Sequence, residues 1–364
     1  MTRSDIRSPQ NILVVRLTAI GDIVMASGVI PCLHTAFPDA RLCWLVEEGN
    51  EELLSSNPRL DRVFVWPRRR WKSLLQQRRY LTWWREFRAL RSALRQVEFD
   101  WVIDLQGLLK SGVWAWLAGG RRRIGLGSRE GSALLMTEVV ERENKSPLIA
   151  KEYRKLMDVL GTAPERFAMD IVVPPKARMS AEALLANAGG DTAYAVLCPF
   201  TTRPQKHWFD ERWIELAGTL HETLGLRPVI VGGPGERQRG AEMAAAAGHG
   251  TVSLAGLTHL DECAAVLQGA SLVIGVDTGW THAGIALRRP TLSLLGSTDP
   301  YFDTGSPSAR ALYHVLPCFP CYRHPTCNGD YTCMRLHTVA DVLSAAAALL
   351  GEHLPTQGAA MTEE

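Results

Sequence analysis

The sequence predicts an α/β protein made of two doubly wound domains in tandem. Short apolar runs alternate with longer amphipathic ones in both halves of the chain, which implies parallel sheet with helices on both faces. A Pro-rich stretch without periodicity separates the halves. The length of 364 residues, 46% of them hydrophobic, is enough to build a core in each.

In the first half, NILVVRL (residues 11–17) reads as a strand. Ile23, Ala26, Ile30, Leu33 and Phe37 then fall on one face of a helix expected to open on Asp22. Further strands are predicted over 41–46, 62–66, 100–105 and 122–126, with helices over 80–97 and 109–117. A helical stretch at 149–160 leads into GTAPERFAMDIVVPPKARMS, the best candidate linker, near residues 162–176. The second half starts a new series, with strands over 193–199, 227–233, 271–276 and 290–296 and helices between them. The domains are accordingly set at 1–165 and 166–364. Open α/β sheets bind ligands beyond the carboxyl ends of their strands, so both domains are expected to point functional loops into a shared central cleft.

Composition narrows the class. No apolar run reaches the roughly 18 residues of a membrane span, and the start MTRSDIRSPQN lacks the hydrophobic core of a signal peptide, so a cytoplasmic protein is expected. Cys32, Cys43, Cys198 and Cys263 are scattered through segments that read as buried, where cysteine behaves as a small hydrophobe. The net charge of +2 hides a local asymmetry: residues 62–95 hold eleven Arg or Lys and a single acid, Glu86. Interleaved Trp66, Trp71, Trp83 and Trp84 make this run amphipathic. It suits lipid headgroups or an amphiphilic anion, or else a solvated helix with a tryptophan stripe in the core. No RNA- or DNA-binding signature accompanies it, which argues against nucleic acid.

The first loop, RLTAIGDIV, lacks both G-x-G-x-x-G and the G-K-[ST] of a P-loop, so phosphate binding there is unsupported and a nicotinamide dehydrogenase is disfavoured. Asp22 is either a helix cap or a general base at a strand's carboxyl end, with Gly21 giving a substrate room to approach. Spacing alone does not choose. In the second half, Thr201, Thr202 and Lys206 lie between a strand and a helix starting near Asp210, where hydroxyls and an ammonium suit a diphosphate or simply decorate a surface turn. Farther on, VIGVDTGWTHAGIAL ends a strand at Val276 and follows with Asp277, Thr278 and Gly279, the last opening a helix. Its first N–H groups form a second anion cradle. His282 is open to two readings, a site residue or a satisfied core histidine.

The segments LTAIGDIVMASGVIP, VIDLQGLLKS, TTRPQKHW and VDTGWTHAGIALRRPTLSLLGSTDP, in this order, resemble the ADP-heptose:lipopolysaccharide heptosyltransferases. The resemblance runs from Ile12 to about Pro300, and TTR…KHW leans toward the members that add the first heptose to Kdo. It implies the GT-B architecture, two Rossmann-like domains, the first for acceptor and the second for donor. It further implies that Asp22 is the general base, that Thr201, Thr202 and Lys206 hold the ADP phosphates with Asp277, Thr278 and Gly279, and that Lys206 also stabilises the leaving group. Glu236 matches an acid near the ribose hydroxyls, and Leu257 lies where adenine is contacted. The acceptor implied is a lipid A carrying Kdo, for whose anions Arg68, Arg69, Arg70, Lys72, Lys110 and Arg121 to Arg123 are candidates. The donor implied is ADP-heptose with no required cofactor or metal, and the expected enzyme is a monomer, peripheral on the cytoplasmic face of the inner membrane. One departure is Phe209, which stands after Trp208 where the family usually has proline.

Alternatives remain within and outside the family: a later heptose or another sugar, or a noncatalytic protein that binds a nucleotide or an anionic lipid. Cys318, Cys321, Cys327 and Cys333, spaced C-x2-C-x5-C-x5-C, admit a structural metal or iron-sulfur site, or reduced thiols.

Overall fold

The computed structural model describes residues 8–143, 146–162, 164–189, 192–298, 301, 303–321 and 324–352; the stretch 1–7 of the amino-terminal reading lies outside them. Twelve strands form among these residues: β1 (Asn11–Val15), β2 (Arg41–Glu47), β3 (Arg62–Trp66), β4 (Trp101–Asp104), β5 (Arg122–Leu126), β6 (Glu138–Val140), β7 (Tyr194–Cys198), β8 (Arg227–Ile230), β9 (Val252–Ser253), β10 (Leu272–Val276), β11 (Thr291–Leu294) and β12 (Ala309–Leu312). They make two six-stranded sheets, ordered β3-β2-β1-β4-β5-β6 and β12-β11-β10-β7-β8-β9. Every pairing in both is parallel. Counted from its own first strand, the second sheet has the same order as the first, the doubly wound 3-2-1-4-5-6. The fold is thus repeated although no sequence repeat is visible.

The helices are α1 (Ile20–Ala26), α2 (Val29–Ala36), α3 (Arg68–Gln76), α4 (Tyr80–Arg95), α5 (Leu109–Ala118), α6 (Lys151–Leu160), α7 (Pro175–Asn187), α8 (Asp210–Leu224), α9 (Arg237–Ala247), α10 (Leu260–Gly269), α11 (Gly279–Ala286), α12 (Thr332–Arg335) and α13 (Val339–Gly351). The chain divides into two compact units, one reaching Ala181 and including His259–Ala265, the other holding Glu182–Thr258 and the residues from Val266 onward. Among the described residues no helix is long and apolar enough to cross a membrane.

Strand periodicity decides the core of the first unit. Ile12 and Val14 face one way, against Ile23, Ile30 and Tyr153, while Leu13 and Val15 face the other, against Trp71, Leu94 and Trp114. Both faces are covered, which is why β1 reads as a continuous apolar run rather than an alternating one. In the second unit Ala195, Leu197 and Ile274 pack against Trp208, Trp213 and Leu216.

Three sequence expectations change. The helix expected from Asp22 to Phe37 is two helices: α1 opens at Ile20, so Asp22 is its third residue, and the helix breaks before Gly28. The break makes room for chain: a Cβ at Gly28 would lie 2.3 Å from the Phe167 ring. The expected linker is a strap fastened to the first unit, with Phe167, Ile171 and Val173 buried and Asp170 bonded to Asn57 (2.8 Å) and Arg59 (3.1 Å). Its anchors are irregularly spaced because the segment is extended over a surface, so no period betrays them. Strands β6, β9 and β12, of two to four residues, were not anticipated, being too short to show a pattern.

Candidate functional site

In a parallel sheet the connections after two neighbouring strands diverge where the winding reverses, leaving a crevice at the carboxyl ends. That point falls between β1 and β4 in the first sheet and between β7 and β10 in the second. The loops that carry Asp22, Thr201 to Lys206 and Asp277 to Gly279 leave from β1, β7 and β10, whereas Glu236 and Leu257 follow β8 and β9 and Arg68 to Lys72 follow β3.

In the first unit β1 is followed by Arg16, an almost fully buried cation. Its Nη1 donates to the Leu105 carbonyl (2.8 Å) after β4, and its Nη2 meets Asp22 Oδ2 at 2.5 Å. The Ala19 N–H also donates to Asp22 Oδ2 (3.3 Å). Asp22 therefore caps the helix start from inside its first turn, and it does so with one oxygen. Its side chain keeps 41% exposure, and among the described residues Oδ1 takes no hydrogen bond. The helix-cap and general-base readings are compatible.

The VIDLQG segment braces this loop. Buried Asp104 accepts from the N–H groups of Gln106 (3.0 Å) and Gly107 (3.1 Å) and from the Ser111 hydroxyl (2.9 Å). Burial raises its carboxyl above the ordinary value, with those donors opposing. The turn needs glycine: Gly107 has φ +67°, and a Cβ there would lie 2.4 Å from the Leu126 carbonyl oxygen. Gln106 Oε1 in turn accepts from the Leu17 N–H (3.0 Å).

In the second unit the loops after β7 and β10 meet. Lys206 Nζ lies 2.5 Å from Asp277 Oδ2, which also accepts from the Thr298 hydroxyl (2.7 Å). His282 Nε2 stands 3.2 Å from Asp277 Oδ1, and the Tyr301 hydroxyl faces its Nδ1 at 3.3 Å. An Nε2–H tautomer satisfies both contacts, the ring donating to Asp277 and accepting from Tyr301. Burial raises the Asp277 carboxyl, but the hydrogen bond from His282 and the charge of Lys206 outweigh it and hold the group well below the usual carboxylate range. His282 is thus both a buried histidine and a member of the cluster. Asp277 has its carboxylate engaged by its own chain, so it holds Lys206 rather than standing free for a ligand.

Thr201 donates to the Asp277 carbonyl (3.4 Å) and Thr202 is exposed. Thr278 precedes α11 without a side-chain cap, and Gly279 is its first residue, so that among the described residues no side chain caps the first-turn N–H groups at the switch point. Glu236 and Leu257 sit on neighbouring loops: the Gly256 N–H donates to the Gly232 carbonyl (3.0 Å), and a Cβ at Gly256 would lie 2.9 Å from Pro234 Cα. Among the described residues no hydrogen bond or ion pair joins either of them to Lys206 or Asp277.

The expected acceptor cations are more heavily paired than a sequence can show. Arg68 meets Glu47 (3.3 Å), Arg69 meets Glu48, and Arg70 makes a forked contact with Glu86 (2.6 and 3.1 Å). Arg122 is held by Glu138 (2.8 Å) and Arg123 by the Leu135 carbonyl (2.8 Å), while exposed Arg121 stands 3.9 Å from Asp100. Lys72 has no ion pair among the described residues. Lys110 reaches Thr18 Oγ1 (3.4 Å), in the loop that leads to Gly21 and Asp22, and burial lowers its ammonium below the ordinary lysine value.

Sequence reasoning missed Arg16, Gln106, Thr298 and Tyr301. Only Arg16 carried a signal, a charge closing an apolar strand. Cys318, Cys321, Cys327 and Cys333 line one cavity of about 310 Å³ with Gln205 and Ser297. Among the described residues no three His, Cys, Asp or Glu side chains are grouped to hold a metal.

Comparison with known proteins shows the family and the fold. Residues 87–332 match the profile of Glycosyltransferase family 9 (heptosyltransferase). The chain is 33% identical to lipopolysaccharide heptosyltransferase 1 of Pseudomonas aeruginosa over 88% of each chain. Among solved structures, Escherichia coli heptosyltransferase WaaC with ADP is 27% identical and superposes with a TM-score of 0.71 over 93% of this chain and 99% of that one. E. coli ADP-heptose lps heptosyltransferase II, at 22% identity, shares the fold, with a TM-score of 0.75 over 94% of this chain and 99% of that one.

Proposed function

The chain belongs to glycosyltransferase family 9 and is a heptosyltransferase, and on that premise we propose that it moves heptose from ADP-L-glycero-D-manno-heptose to the Kdo-bearing inner core of lipopolysaccharide, with inversion. Its donor is a nucleotide sugar, and the acceptor in this reading is a lipid A carrying Kdo.

Asp22 Oδ1 takes the proton of the acceptor hydroxyl as that oxygen bonds to the anomeric carbon. The bond from that carbon to the diphosphate oxygen breaks on the opposite face, and ADP departs with the electron pair. Positive charge develops on the sugar ring, as in glycoside hydrolysis. Arg16 fixes Oδ2 and so aims Oδ1. In the second unit Lys206 has three N–H donors, of which Asp277 engages one, leaving two for phosphate oxygens. The open first turn of α11 adds backbone donors and the positive end of a helix dipole.

The observation that carries this reading is the Lys206 and Asp277 pair beside that uncapped turn, a preorganised cation where a diphosphate gathers charge. A lipid-borne acceptor also puts the enzyme at the cytoplasmic face of the inner membrane, as a peripheral protein. Purified protein incubated with ADP-heptose and a panel of Kdo-lipid A acceptors, with and without a first heptose, tests the proposal. Heptosylation of the heptose-free acceptor is expected. Product only on acceptors that already bear heptose reassigns the enzyme to a later step, and no product on any of them overturns the reading.

A further inference from the structure

The hairpin of α3 and α4 carries surface that neither the proton transfer nor the diphosphate chemistry uses. At its tip and along the outer side of α4, Leu75 (41% exposed), Tyr80 (58%), Leu81 (87%) and Trp84 (50%) stand in solvent. Burying these side chains against the protein was open to the fold, because Trp71, Trp83 and Phe87 on the same two helices do pack inward. Arg78, Arg79, Arg85, Arg88 and Arg91 are exposed between and beside the apolar residues. The only acid in residues 62–95, Glu86, is taken by Arg70 and by the Trp71 indole (3.0 Å), and among the described residues it makes no ion pair with any of these five arginines.

An anionic macromolecule with polar edges would match the arginines and waste the apolar side chains. A bilayer surface uses both: tryptophan, tyrosine and leucine enter the boundary between headgroups and acyl chains, while guanidinium groups meet lipid phosphates. A second feature of the hairpin selects the same class of partner. Beside it lies a cavity of about 910 Å³ walled by aromatic residues such as Trp71, Trp83 and Trp114, where the cations Arg68, Lys72 and Lys110 outnumber the single acid, Glu130. Aromatic walls with an excess of cations fit an amphiphile with an anionic head.

We propose that the tip of the α3–α4 hairpin is the surface by which this enzyme docks on an anionic lipid bilayer, with Leu81 and Trp84 entering the interface and the flanking arginines on lipid phosphates. The proposal rests on the functional reading above only in that a lipid-borne acceptor calls for a bilayer; its test uses no sugar transfer. The full chain is sedimented with vesicles of phosphatidylcholine alone and with vesicles containing phosphatidylglycerol. Partition into the anionic vesicles is expected, falling as salt rises. Leu81→Asp is expected to lower it about tenfold or more and Arg78→Glu with Arg79→Glu by a similar factor. Both changes are fully on the surface, and circular dichroism checks that each variant folds.

Lipids brominated along their acyl chains should quench tryptophan fluorescence in the wild type and quench it less in Trp84→Phe. Turnover on a water-soluble, deacylated acceptor should be the same in Leu81→Asp as in the wild type. Equal partition of wild type and Leu81→Asp, or no preference for phosphatidylglycerol, overturns the docking surface. Either result leaves the transfer reaction to be judged by its own assay.

Discussion

Arg16 Nη2 stands 2.5 Å from Asp22 Oδ2, joining the last residue of an apolar strand's extension to the third residue of the helix that follows. The guanidinium is buried and also anchored on the Leu105 carbonyl, whereas the carboxylate keeps an open oxygen. Such a pair joins a fixed, buried cation to a carboxylate that is still partly in solvent.

Replacing Asp22 by Asn keeps the shape of the side chain and an oxygen for Arg16 but removes the group proposed as the base. Transfer should fall by roughly a hundredfold to ten-thousandfold. ADP affinity, measured by calorimetry, should stay within a factor of two or so, because Lys206 and α11 are untouched. Turnover near the wild-type rate would remove Asp22 from the reaction.

Arg16→Met leaves the Leu105 carbonyl without its donor and Asp22 without its support. A loss of about 2 kcal/mol in urea unfolding is expected, set mostly by the buried carbonyl because Asp22 is partly solvated. The rate constant kcat should drop by about tenfold while KM for the donor is little changed. A variant with normal kcat and reduced stability would make Arg16 purely structural.

Lys206→Ala should weaken ADP binding by roughly ten- to a hundredfold, the worth of a charge-assisted hydrogen bond. It should also cost stability, about 3 kcal/mol at neutral pH, since Asp277 stays buried with less to compensate it. The Asp277 carboxyl is held below its unfolded value by His282 and Lys206 against the opposing effect of burial. Its contribution is therefore complete above the ordinary carboxylate range and is lost as pH falls through the lower folded value. Wild type and variant should converge in stability on acidification; a gap that persists unchanged into acid would contradict the pairing.

His337 gives a second, separable acid response. Its ring is buried, with Nε2 on the Leu295 carbonyl (3.0 Å), and burial lowers it from the ordinary 6.5 to about 4. Between those two pH values the unfolded chain binds a proton that the folded one refuses, so stability falls as pH is lowered from 6.5 towards 4. The loss amounts to about 3 kcal/mol. His337→Gln keeps an N–H donor without the titration, and its stability should fall less than that of the wild type over that window, the remaining slope coming from groups such as His207, which burial also lowers. Equal slopes for both proteins would rule out His337 as the source.

Local pattern was enough to place the longer strands and most of the helices, the positions of the loops around Thr201 and Asp277 and the family, because each is written in adjacent residues. Val276 ends β10 and Gly279 opens α11 as the spacing predicts, since a strand run and a helix start are both short-range signals. Ionic partners were not legible. Arg70 and Glu86 lie sixteen residues apart, Lys206 and Asp277 seventy-one, and nothing in either neighbourhood names the other. Which arginines are spent on carboxylates, that Asp22 caps with one oxygen and leaves the other open, and that Asp277 serves its lysine were all decided by tertiary structure. The physical reason is that a parallel sheet brings strand ends together across long loops, and Coulomb and hydrogen-bond energies depend on distance in space, which composition and periodicity do not encode.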